Sequence, residues 1–181
     1  MHSNLQCQIF VLLNNSKNNT ISSIMVTTQT INTTDSLANF QIKMFGLKKV
    51  NGTIGGMQGQ INFDPKNLAA SGFDVSVNLA TINTKVPKRD EHLKQADFFD
   101  VANHPQIRFK SSQIIATDNG YQAIGTLTVR GIAQEITIPF TYQNNRFEGT
   151  LELNRANFKV GKVPGFVVGK KVTIAIKCVV E

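Results

Sequence analysis

From residue 37 to the end of the chain, apolar and polar residues alternate in one short segment after another. Extended backbone points successive side chains to opposite faces, so a period of two is the mark of a half-buried strand. FDVSVNL puts Phe73, Val75, Val77 and Leu79 on one face and Asp74, Ser76 and Asn78 on the other. ANFQIKMF gives Phe40, Ile42 and Met44, and QIRFKSSQII gives Ile107 and Phe109. Tyr121, Ala123, Leu127 and Val129 align in the next segment, followed by Ile136, Ile138, Phe140 and Tyr142. Phe147, Leu151 and Leu153 form another face, and Val172, Ile174, Ile176, Cys178 and Val180 the last. A longer Gly-studded stretch, VNGTIGGMQGQINF, ends on Ile61 and Phe63, and Gly55–Gly56 within it suits a bulge or sharp bend. The expectation is eight strands.

Turn residues separate them. Asp118-Asn119-Gly120 and Asn144-Asn145 fit tight hairpins, Arg130-Gly131 a short reversal, and Asp64-Pro65 a turn. Strands joined so closely pair antiparallel. Helical periodicity is confined to residues 88–100, where Asp90 is placed to cap a short helix carrying Leu93, Ala96 and Phe99. Eight antiparallel strands with one apolar face each build either a closed up-and-down barrel or a two-sheet sandwich. Strands of about 10 residues, tilted by roughly 40°, make a barrel on the order of 25 Å tall. Such a barrel is filled by its own side chains or holds one slender ligand.

The chain of 181 residues suits one domain. Residues 37–181 are assigned to the barrel and residues 1–36 to a flexible leader running into it. Within that leader, residues 1–24 lack periodicity. Their apolar run is too short to span a bilayer and has no basic residue before it, so it does not read as a signal peptide. NNSKNNTISS is polar, and Met25 follows it as an alternative start.

Composition narrows the function. Twelve Phe, two Tyr and no Trp give aromatic bulk with few polar handles, which favours an apolar interior over a wet recognition surface. The net charge of +7 raises the question of an anionic partner. The lysines and arginines are dispersed near turns, so no nucleic-acid surface is expected. Cys7 and Cys178 stand at opposite ends of the chain, which makes neither a disulfide framework nor a zinc site. Cys178 reads as a small buried hydrophobe.

RDEHLKQADFFDVANHPQIRF, residues 89–109, concentrates the titratable groups. Asp90, His92, Asp97, Asp100 and His104 match no compact metal-ligand spacing, and no nucleophile stands beside a base. Catalytic and metal sites are therefore not expected, and no cofactor is implied. A structural role accounts for the alternation better: Arg89 pairs with a carboxylate such as Asp97 or Asp100, while Phe98 or Phe99 plugs one end of the barrel. In a mixed version of that role, Arg89 or His92 also meets a ligand's polar head.

FDPKNLAASGFDVSV, RDEHLKQADFFDVANHPQIRFKS and GTLTVRGIAQEITIPF together resemble the YceI-like family, in order and spacing, from about residue 37 to 181. The resemblance implies an extended lipocalin-like barrel that binds a polyisoprenoid or similar long amphiphile and is not an enzyme. The candidate tunnel wall is then Phe40, Ile42, Phe73, Val75, Val77, Ile107, Phe109, Leu127, Val129, Ile138, Phe140, Leu151 and Ile174. Arg89, His92, Asp97, Phe98 and Phe99 form the candidate head-group site or lid. The expected partner is a long-chain isoprenoid, isoprenoid quinone or fatty amphiphile, held for storage or transport. The alternative is a barrel with a self-filled core that works as an interaction module through its basic exterior. Three departures stand out. His104 replaces a Tyr common before the Pro of the PQIRF element, and Arg155-Ala156-Asn157-Phe158-Lys159 replaces an Arg-x-Asp-Phe-Gly pattern. The third is the missing secretory signal: its absence suggests a cytoplasmic location, whereas the resemblance suggests a periplasmic one. Oligomeric state is open, a homodimer being one arrangement.

Overall fold

The computed structural model describes residues 28–181, and residues 1–24 of the expected leader lie outside that range. Ten strands form one antiparallel sheet. They are β1 (Thr28–Gln29), β2 (Leu37–Met44), β3 (Lys48–Ile54), β4 (Gln58–Asn62), β5 (Gly72–Asn78), β6 (Gln106–Thr117), β7 (Gly120–Val129), β8 (Ile132–Gln143), β9 (Arg146–Asn154) and β10 (Val168–Val179). The expected count was eight, and two features raise it. β1 adds a two-residue strand that pairs with β4. The Gly-studded stretch also divides in two, because the peptide groups of Gly55 leave the ladder. Its N–H donates to Thr81 Oγ1 at 2.8 Å, and its carbonyl accepts from Asn78 N–H at 3.0 Å.

That division positions the rest. The strand order is β1-β4-β5-β6-β7-β8-β9-β10-β2-β3, so β3 lies at one edge of the sheet and β4 next to the other, yet the two are joined by three residues. The sheet therefore curls back on itself into a lipocalin-like barrel. The segment after β1 adds a second seam, where Ile31 bridges Val180 and Asn32 N–H donates to Val179 O at 2.9 Å. Tight turns fix the register between the strands. Arg130-Gly131 and Asn144-Asn145 all have φ between +51° and +70°, the geometry that matches the twist of a two-residue hairpin.

Antiparallel pairing sends the connections to two ends. At one end lie the β4–β5, β6–β7 and β8–β9 connections, and there six aromatic rings fill the interior. Phe63 is at their centre, with ring centroids 5.0 Å from Tyr121 and Tyr142, 5.3 Å from Phe147, 5.6 Å from Phe140 and 6.2 Å from Phe73. Most of these pairs are edge-on, the arrangement aromatic quadrupoles favour. This end is plugged.

The opposite end carries the β2–β3, β5–β6, β7–β8 and β9–β10 connections. The β5–β6 connection holds the one α-helix among the described residues, α1 (Pro87–Lys94). It is shorter than the expected 88–100. Pro87 starts it, since a ring without an N–H loses nothing in the first turn. It stops where Gln95 turns extended, with φ −70° and ψ 165°. The residues after it continue as turns that carry Phe98 and Phe99. Asp90 is not the cap. Val86 occupies that position without a side-chain bond, and the Asp90 carboxylate instead accepts from the N–H of Thr84 at 2.9 Å and from its hydroxyl.

Candidate functional site

Inward faces of nine strands, β2 to β10, surround a cavity of about 480 Å³. The thirteen wall positions expected from the alternation, Phe40, Ile42, Phe73, Val75, Val77, Ile107, Phe109, Leu127, Val129, Ile138, Phe140, Leu151 and Ile174, all line it. Ladder pairs show how they meet: Val75 lies opposite Phe109, Phe109 opposite Leu127, and Ile174 opposite both Phe40 and Leu151. The volume falls within the 300–1,000 Å³ usual for small-molecule sites. The Phe40 ring lies over Gly52, its ladder partner on the neighbouring strand β3. A methyl group at position 52 would stand 2.3 Å from the Phe40 ring.

Polar groups gather at the lid end, and each is already engaged. Arg89 donates from Nε to Thr84 Oγ1 at 2.8 Å and from a terminal nitrogen to Thr84 O at 2.9 Å. The expected carboxylate partner, Asp97 or Asp100, does not hold it, because Thr84 lies five residues back on the turn into α1 and meets the guanidinium first. His92 Nε2 lies 3.1 Å from Asp97 Oδ2, and its ring packs edge-on to Phe98 with centroids 4.9 Å apart. Arg89, His92, Phe98 and Phe99 border the cavity. Asp97 does not, and its contact is with His92. His104 stands 4.0 Å from Asp100 and does not border the cavity. No group of three or more His, Cys, Asp or Glu side chains placed to hold a metal ion occurs among the described residues.

Arg155 has the most unusual surroundings. It is 7% exposed and faces no carboxylate. All five N–H groups donate to backbone carbonyls: Gly169 at 2.9 Å, Val160 and Gly161 at 2.7 Å, Val163 at 2.9 Å and Val168 at 2.8 Å. Burial pulls its pKa below the ordinary arginine value, and a guanidinium nonetheless stays protonated at neutral pH. One side chain thus orders the whole connection from β9 to β10. Phe98 rests on that connection, where a methyl group at Gly161 would come within 2.7 Å of its ring. Arg130, in the β7–β8 turn, fastens the same region by donating to Lys159 O at 2.6 Å and to Ala96 O.

Sequence reasoning passed over some of the lining. Val50, Ile54 and Met57 border the cavity from the Gly-studded stretch, where glycines interrupt the alternation. Arg155 borders it too, and no side-chain pattern signals a cage made of main-chain carbonyls.

The YceI-like domain model matches residues 29–180. The chain belongs to the YceI-like family. A UPF0312 protein of Yersinia pestis is 34% identical over 99 residues, which is 55% of this chain and 52% of that protein, so the match spans about half the relative's length. The crystal structure of Burkholderia cenocepacia BcnA superposes with a TM-score of 0.76 at 26% identity, covering 82% of this chain and 98% of the other. A polyisoprenoid binding domain from Saccharophagus degradans gives a TM-score of 0.63 at 13% identity, covering 84% and 97%. That likeness is one of fold.

Proposed function

We propose that this YceI-like barrel holds one long apolar amphiphile along its interior, either a polyisoprenoid, an isoprenoid quinone or a fatty-acid derivative, and stores or carries it. The observation that carries this reading is the cavity itself, with thirteen uncharged wall positions from separate strands around one space. A charged or sugar-like ligand would lie there without partners, at a cost of several kcal/mol. Each methylene removed from water contributes about 0.8 kcal/mol, so ten carbons supply roughly 8 kcal/mol, the scale of micromolar affinity before ordering costs. The fold shared with the Saccharophagus polyisoprenoid binding domain supports the same reading. A polar head belongs at the lid end, beside Arg89 and His92, since the far end is sealed by the Phe63 cluster. A barrel that acted only through its exterior would need a filled interior, and the open cavity weighs against that alternative.

Charging the wall tests the proposal. Val77→Asp or Leu127→Lys should abolish uptake of a polyisoprenoid or long-chain fluorescent probe, whereas Arg89→Ala should weaken it only in part. Circular dichroism melts of each variant separate lost uptake from lost folding. If the folded variants take up probe as the wild type does, the wall is not the binding surface.

A further inference from the structure

Two groups of lysines far apart in the sequence meet at the lid end. β2 ends with Met44 opposite Val168 of β10, and just beyond that pair Phe45 N–H donates to Val167 O at 3.0 Å. The backbones come closer still at Gly169, where a methyl group would be 3.0 Å from Lys43 O. The β2–β3 turn and the β9–β10 connection are therefore one continuous surface.

Its composition is unlike that of an ordinary loop cluster. Phe45 is 65% exposed, Leu47 91% and Phe166 76%, and these are three of the four large apolar side chains so exposed among the described residues. Residues 43–50 and 159–171 contain seven lysines and neither Asp nor Glu. Lys171 pairs with Glu152 at 2.7 Å. Lys43, Lys48, Lys49, Lys159, Lys162 and Lys170 have no carboxylate partner among the described residues. The cavity reaches the same place, because Met44, Val163 and Val168 line it from the inside.

We propose that this end of the barrel docks on an anionic lipid bilayer. Apolar side chains at loop tips, ringed by lysines, fit the boundary between headgroups and acyl chains, where the rings and the leucine leave water while the ammonium groups meet lipid phosphates. The apolar residues project from turns and do not line a groove, so they need no partner of matching shape. Each lysine near a negatively charged leaflet strengthens binding by about fivefold. Docking stands apart from the cargo reading. If both hold, cargo passes between leaflet and barrel without crossing water.

The test is co-sedimentation of the full chain with vesicles of one part phosphatidylglycerol to three parts phosphatidylcholine, against vesicles of phosphatidylcholine alone. The protein should bind the first and not the second, and should release as salt screens the charges. The combined variant Phe45→Ser, Leu47→Ser, Phe166→Ser should bind roughly tenfold more weakly or worse. A second variant, Lys48→Glu, Lys49→Glu, Lys170→Glu, should lose the preference for phosphatidylglycerol. Both should melt as the wild type does and still take up a soluble probe. Docking is overturned if the wild type ignores the anionic vesicles or if the serine variant binds them undiminished. It is equally overturned if the serine changes abolish a self-association of the chain while vesicle binding is absent. A protein that docks but holds no cargo refutes the cargo reading alone.

Discussion

At the scale of single residues, Arg155 concentrates more of the lid-end architecture than any other side chain described. Lysine has three N–H donors and a point charge in place of a planar fork, so it cannot reach the five carbonyls that Arg155 gathers. Arg155→Lys should cost about 3 kcal/mol in urea unfolding, the scale of leaving buried acceptors unpaired beside a misplaced charge. Lys159 gives the opposite case. It sits in the left-handed region at φ 53° with its side chain exposed, at the position where the resembled family pattern has Gly. Lys159→Gly should therefore stabilise the fold by up to about 1 kcal/mol, seen as a raised melting temperature. Cys178 reads from sequence as it stands in the fold: it is buried, and burial pushes its thiol up to about 11 against a weaker opposing hydrogen bond from Ser36. In a Cys7→Ser background it should resist Ellman's reagent until the protein unfolds. Because the unfolded thiol ionises first, this group's contribution to stability is complete below pH 9.0 and falls as pH rises toward about 11. Arg155 was the harder residue to foresee. Its partners are main-chain atoms five to fourteen residues downstream, and no pairing of side-chain types announces them.

Among the elements, the strands were legible because each buries one face, and alternation records that directly. The wall list followed from it, and every position on that list borders the cavity. Two things blurred the reading. Glycine removes the side chain that carries the signal, so β3 and β4 read as one strand and Val50 and Ile54 were left off the wall. Short-range polar competition misled the helix: Asp90 was expected at its cap, and Thr84 on the preceding turn claims that carboxylate and Arg89 together. The start of α1 therefore hangs on a Thr84–Asp90–Arg89 lattice in which Thr84 is the shared member. Thr84→Val should loosen it while keeping its shape, with a loss of about 1–2 kcal/mol in stability. It should also speed release of a bound probe in stopped-flow exchange. If release is unchanged, α1 does not gate the cavity.

For the whole molecule, one asymmetry sets the two ends of the barrel apart. An aromatic cluster around Phe63 closes one end of the barrel, while the other end collects α1, the Arg155 cage and the lysine-ringed tip at Phe45, Leu47 and Phe166. The sequence showed those lysines only as scattered charges, because the ladder pairs that unite them join segments remote in the chain. The central claim is that the interior holds a single long hydrocarbon. Native mass spectrometry of the freshly purified full chain tests it most directly. The expected result is a species heavier than the polypeptide by one discrete apolar molecule, which organic extraction removes and a supplied polyisoprenoid restores. A single species at the bare polypeptide mass, unchanged after incubation with every long-chain lipid offered, would contradict it.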